Sequence, residues 1–260
     1  MGLLRFLVAY VQSNFRAALE YRVSFWAQVF AMVLNDAMWI AFRAVFFTRF
    51  PVVRGYGFGE VITVWSLAAV SVGLGAGLFG GASRYAADVA RGRLDFYLVL
   101  PKPVLLHVAV STMGIGAWGD VLFGLGAYLG FVRPSLGDIA LFLLLCSAAT
   151  AVYVAYTILA NALAFSLGNA EGFAAQLNNA LITFSLYPSA LFSGAVKVLL
   201  FTLVPAGFIA YIPVELLREW NWLLALALLG AAVGGLALAT AVFYAGLRRY
   251  ESGNTLAMRE

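Results

Sequence analysis

The chain has 260 residues, of which 63% are apolar and 11% charged, and its mean hydropathy is +0.94. These values exclude an ordinary soluble domain and make the bilayer the solvent of this protein. The net charge of +4 does not mark a nucleic-acid binder, because the basic residues sit between apolar blocks, where they set orientation.

Residues 1–22 open with a helical pattern. Leu4, Leu7, Val8, Val11, Phe15, Ala18 and Leu19 share one face, and Arg5, Gln12, Arg16 and Glu20 the other. This predicts a helix lying in the membrane interface, with a plain extension of the first span as the alternative. The start, MGLLRFLVAY, has no cleavage-site pattern and is not read as a signal peptide. A span needs about 20 apolar residues, and the apolar blocks predict spans at 23–47, 61–82, 104–131, 139–165, 172–190 and 221–246. Residues 84–103 between the second and third are polar enough to leave the bilayer. Residues 191–217 are apolar but interrupted by Lys197, Pro205 and Pro213. Proline breaks helices, and bare backbone cannot face lipid, so this segment is read as two short helices that dip in and return. Of the sixteen Lys and Arg, ten fall on the side of both termini, five on the other, and Arg43 within the first span. That bias places both termini in the cytoplasm. The chain reads as one all-α integral membrane domain over residues 1–260.

Several chemistries find no motif. No G-x-x-x-x-G-K-[ST] loop occurs, and GLGAG at 73–77 lies inside an apolar block rather than between a strand and a helix. His107 is the one histidine, which excludes a multi-histidine metal site. Cys146 is the one cysteine, so no intrachain disulfide forms. No G-x-S-x-G elbow is present.

Three constellations remain. Gly73, Gly77 and Gly81 recur every four residues, as do Gly126 with Gly130 and Gly230 with Gly234. This spacing predicts close helix packing, or faces that rock during a transport cycle. Asn35, Asp36 and Arg43 lie in the first span and Asp120 in the third. A buried charge costs roughly 2.5–3.5 kcal/mol on insertion scales, so these groups face protein or water, as a polar path or as a structural pair with Arg43. Two intramembrane aspartates also raise an aspartyl protease, but residues 117–120 read AWGD where that class carries GxGD. An ion-coupled carrier or channel using Asp36 and Asp120 stays open. In the 84–103 segment, Asp88, Arg91, Arg93 and Asp95 form a mixed-charge element that suits either a docking helix or a solvated linker.

RGRLDFYLVLPKP at 91–103 resembles the permease subunits of ABC-2-type transporters, in particular their six-span bacterial subfamily. Tyr21-Arg22, the run YPSALFSGAVKVLLFTLVPAGFIAYIPVELL at 187–217 and GLRRYESGN at 246–254 agree, and the 187–217 run is the most specific of them. The resemblance implies a transmembrane permease of the bacterial inner membrane that pairs with a second permease subunit, identical or related. It implies two cytoplasmic ATPase subunits that bind ATP and Mg, with no cofactor on this chain itself. Residues 84–103 would be the coupling helix, with Asp88, Arg91, Arg93 and Asp95 as contacts. The N-terminal helix would be the connecting helix, and 191–217 a re-entrant pair between spans 5 and 6. Asn35, Asp36, Asn178 and Asn179 would be polar groups of the path or subunit interface, and the apolar, aromatic walls lean toward an amphipathic, drug-like or lipid-like cargo.

Overall fold

The computed structural model describes residues 2–167 and 170–250. In chain order, α1 (Leu3–Glu20) turns at Tyr21 into α2 (Arg22–Arg49). A small hairpin of β1 (Val52–Val53) and β2 (Tyr56–Gly57) leads into α3 (Phe58–Leu78). Two short helices follow, α4 (Tyr85–Ala90) and α5 (Asp95–Leu98), and then α6 (Val104–Val110) and α7 (Ala117–Ala127). Next come α8 (Leu136–Ala162), α9 (Ala164–Leu167), α10 (Glu171–Ser185), α11 (Gly194–Leu199), α12 (Ile212–Arg218) and α13 (Trp222–Leu247). The fold is all-α apart from the hairpin. Among the described residues, α2, α3, α8 continued by α9, and α13 are long and apolar enough to cross a membrane.

Local chemistry sets the helix starts. Ser135 and Asp138 form a reciprocal capping box on α8: Asp138 N donates to Ser135 Oγ at 3.2 Å and Ser135 N donates to Asp138 Oδ2 at 3.0 Å. Asn221 Oδ1 accepts from Leu223 N at 2.9 Å and caps α13. At α3, Gly57 N donates to Glu60 Oε2 at 2.6 Å, and the same Glu60 receives Arg218 at 2.6 Å from the end of α12.

The core lies around α3 and α8. Most of α3 is buried, including Ile62, Leu67 and Val70, and α8 contributes Phe142, Cys146 and Ala149. By contrast α2 and α13 bury only one narrow face each. On α2, Trp26, Phe30, Leu34, Met38 and Phe42 recur every four residues and are all exposed. A helix that shows apolar side chains outward belongs against lipid or another subunit.

Two groups of contacts mark opposite ends of the bundle. At one end the β1–β2 turn meets Ala190, and Arg218 meets Glu60. At the other, Arg91 reaches Glu171 at 3.7 Å, and Tyr250 lies against Asp95. α1 packs across the second end: Tyr10 and His107 share a hydrogen bond of 2.8 Å, and Asn14 Nδ2 donates to Val110 O at 2.9 Å. Its contact edge is Phe6, Tyr10 and Asn14, while Leu4 and Val8 of the predicted apolar face stay exposed, as an interfacial helix requires.

The structure departs from the expected elements in three places. The run 104–131 is not one helix; it breaks at residues 111–116 between α6 and α7. The cause is the end of α3. Gly80 and Gly81 have no room for a side chain against the backbone of Val108 and Thr112, and Gly114 N donates to Ala76 O at 3.0 Å. At least one amide of the break, that of Gly114, is thus satisfied by α3 rather than left bare. The 84–103 element is two helices rather than one, divided at Gly92, whose φ of 67° suits glycine. Third, the glycine spacings diverge. Gly73 meets Ala117 and Val121 of α7 and Gly77 meets Trp118, whereas Gly126, Gly130, Gly230 and Gly234 face open space. Between the capped ends, residues 191–217 form α11, a turn through Pro205, and a wide π turn at Gly207–Tyr211 that runs into α12. Tyr211 donates to Phe184 O at 2.7 Å and ties this segment to α10.

Candidate functional site

Residues 84–98 stand at the end of the bundle that carries α1. Arg93 pairs with Asp88 at 2.5 Å, and its backbone N donates to Asp88 O at 2.8 Å, which folds the Gly92 turn back on α4. The Arg91–Glu171 pair joins α4 to α10, but both side chains are more than half exposed. Such a surface pair contributes roughly 0.2–1 kcal/mol, so it links the elements without fixing them. Asp95 lies beside the Tyr250 hydroxyl; burial, then that carboxylate, pushes the Tyr250 phenol up to about 12, so it stays a neutral donor across the physiological range. Arg84, Asp88, Arg93, Phe96 and Tyr97 line a cleft of about 400 Å³ beside these helices. All four predicted contact residues, Asp88, Arg91, Arg93 and Asp95, therefore sit on one short segment, and each is tied to another group in that segment, to α10 or to the residues just past α13.

Sequence reasoning missed Tyr85, the residue that roots this element. Its ring is fully buried against Phe165 and Phe243, and its hydroxyl donates to Ile158 O. One side chain at the first position of α4 thus touches α8, α9 and α13. The available signal was a tyrosine at the boundary of an apolar block, which alone reads as an ordinary interfacial aromatic.

The intramembrane polar residues divide into two groups. Asn35, Asp36 and Asp120 come together where α2 crosses α7: Asn35 Nδ2 donates to Asp36 Oδ1 at 3.3 Å, and the Asp36 and Asp120 carboxyl groups are electrostatic neighbours. Gly119 lies against the backbone of Val29 and the side chain of Met32, which lets the two helices come close enough for this meeting. Arg43 joins neither aspartate in an ion pair; its guanidinium lies over the Trp39 ring, 5.9 Å from the centroid. Asn178 belongs elsewhere, accepting from Thr157 Oγ1 at 3.0 Å and donating to Ala174 O at 3.1 Å, so it holds α10 to α8. Asn179, the next residue of α10, is exposed. Among the described residues no cluster of His, Cys, Asp and Glu could hold a metal ion.

A sequence model described as ABC-2 family transporter protein matches residues 33–254. The chain belongs to the ABC-2 transporter family. It is a multi-pass membrane permease, and permeases of this family work with an ABC ATPase subunit. The match leaves α1 and the first part of α2 outside its bounds and takes in the 84–103 segment, both aspartates and the 187–217 run. No curated protein and no solved structure matches the chain.

Proposed function

We propose that this chain is the permease of an ATP-driven exporter, with six crossings formed by α2, α3, α6 with α7, α8, α10 and α13. In this reading α1 lies along the cytoplasmic interface of the bacterial inner membrane, both termini are cytoplasmic, and residues 191–217 form the re-entrant pair on the outer side. Two permease subunits, identical or related, sit on two ATPases, which bind the ATP and Mg. Asp88, Arg91, Arg93 and Asp95 meet the ATPase. Asn35, Asp36 and Asp120 supply polar groups to the path or the subunit interface, and the cargo is amphipathic.

The observation that carries this reading is the joint one of the family match and the 84–98 element, a charged pair of short helices rooted by Tyr85 against α8, α9 and α13. When ATP draws the ATPases together, force applied to α4 reaches α8 and α13 through that ring, and α10 through Arg91. Cargo is moved only if the two arrangements bind it differently. The Asp36–Asp120 pair supports a second reading, a proton-coupled carrier acting without ATP, and one experiment separates the two. Tagged protein is purified in mild detergent from its native membrane, as wild type and as Arg91→Glu/Arg93→Glu. The wild type is expected to bring down a vanadate-sensitive ATPase, and the double variant, with an unchanged elution profile, to lose it. Retention of the ATPase by the variant would sink the coupling assignment. A lone wild-type protein that moves cargo down a proton gradient would favour the carrier.

A further inference from the structure

A second cavity, of about 260 Å³, opens near the hairpin end between α2, the β1–β2 turn and residues 187–191. Its lining residues include Trp39, Phe42, Tyr187 and Leu191, together with two arginines, Arg43 and Arg54. Arg218, near the same end, is engaged by both Glu60 and Glu215. Arg43 and Arg54 have no carboxylate within 4.0 Å among the described residues. Arg43 gives one long hydrogen bond, 3.4 Å, to Trp39 O on its own helix, and its nearest electrostatic neighbours are Tyr187 and Asp36, the latter already held by Asn35. Arg54 gives one, 2.9 Å, to Ala190 O. An arginine carries five N–H donors, so most of theirs are open.

Arg54 is also an unexpected residue for its backbone. It has a φ of 49° and Gly55 a φ of 84° in a two-residue hairpin turn. The first position of such a turn is normally Asn, Asp or Gly, and a longer side chain there is strained. Ease of turning therefore does not account for an arginine at this position, whereas its reach to the cavity does. Trp39 and Phe42 stay half or more exposed on the α2 face that no other described segment covers, so the cavity is open to whatever surrounds α2. Arg43 lies six residues before Arg49, the last residue of α2, about 9 Å along the helix axis, so it sits within two turns of the helix end that leads into the hairpin carrying Arg54.

We infer that this cavity binds an anionic phospholipid of the surrounding leaflet, its phosphate between Arg43 and Arg54 and the start of its chains on Trp39 and Phe42. Guanidinium forks match phosphate oxygens bidentately, and the volume suits a headgroup with the first part of a chain. An anion here offsets the cost of holding Arg43 inside an apolar span. The inference does not depend on ATP coupling and stands whether the chain works as an exporter or a carrier.

The test is native mass spectrometry of the delipidated full-length protein titrated with phosphatidylglycerol or phosphatidylcholine. Phosphatidylglycerol is expected to bind more tightly by about fivefold or more, as charge-assisted contacts require. Arg43→Gln/Arg54→Gln should remove that preference, Arg43→Lys/Arg54→Lys should keep it in reduced form because the charge stays and the bidentate fork is lost, and Leu191→Trp, which fills the cavity without touching charge, should weaken phosphatidylglycerol binding. Equal binding of the two lipids by the wild type would overturn the inference. So would an intact preference in the glutamine variant, since binding itself shows that variant folded. Displacement of the lipid by equimolar glycerol phosphate would overturn it too, because a bare anion site needs no aromatic wall.

Discussion

Gly81 is where the extension of α3 meets α6 most closely, with the Val108 carbonyl in the space a Cβ would take. The obstacle is backbone, which cannot rotate aside as a side chain can. Gly81→Ala is therefore expected to cost about 1–3 kcal/mol, the usual range for overpacking, and to lower the thermal unfolding midpoint in detergent. Gly126→Ala should leave the midpoint unchanged, because nothing lies within 4 Å of that position. Both glycines sit in four-residue spacings that look alike in the sequence. Spacing defines which residues share a helix face, but not what covers it, and only Gly73, Gly77 and Gly81 are covered by another part of this chain. Asp36 and Asp120 show the same limit. Each was legible as a costly intramembrane charge, while their meeting depends on how α2 crosses α7 at Gly119, which no local pattern encodes.

Among the elements, α4 is short yet anchored out of proportion to its length. Truncating Tyr85 to Ala removes the ring from the Phe165–Phe243 cluster, whereas Tyr85→Phe removes only the hydrogen bond to Ile158 O, worth about 1 kcal/mol. In an ATPase-coupled complex, Tyr85→Ala should keep ATPase binding but lower cargo moved per ATP several-fold, and Tyr85→Phe should stay close to wild type. Loss of the ATPase itself with Tyr85→Ala would show the residue to be part of the docking surface instead of the lever behind it. The apolar run 221–246 is the helix Trp222–Leu247, opened by Asn221, whereas the Ser135–Asp138 box opens α8 at Leu136, three residues before the predicted start. The break at 111–116 was not legible in the sequence, because its cause lies some 30 residues earlier, at Ala76, Gly80 and Gly81. Serine, threonine and glycine are all admissible inside a membrane helix, so STMGIG carries no local stop.

In the proposed pairing of two permease subunits, the Trp26–Met38 part of the exposed α2 stripe, short of the Phe42 cavity, is the surface a second subunit would meet. Phe30 lies in its middle, and Cys146, the only native thiol, is fully buried and silent to reagents. Phe30→Cys treated in native membranes with a short bis-maleimide should give a band at twice the monomer mass, while the wild type gives none. Absence of that band would place the α2 stripe against lipid rather than its counterpart. The split between α6 and α7 also bears on how the chain reaches this state. As it leaves the ribosome, the 104–131 stretch is a single hydrophobic segment, and a translocon would release it into lipid as one continuous helix. The bend at 111–116 frees amide and carbonyl groups that lipid cannot satisfy, so it forms only once Ala76 O and the glycine cleft of α3 are there to receive them. The bend is therefore imposed from outside: the 104–131 run takes its shape from α3, the long helix before it in the chain, as from a mould.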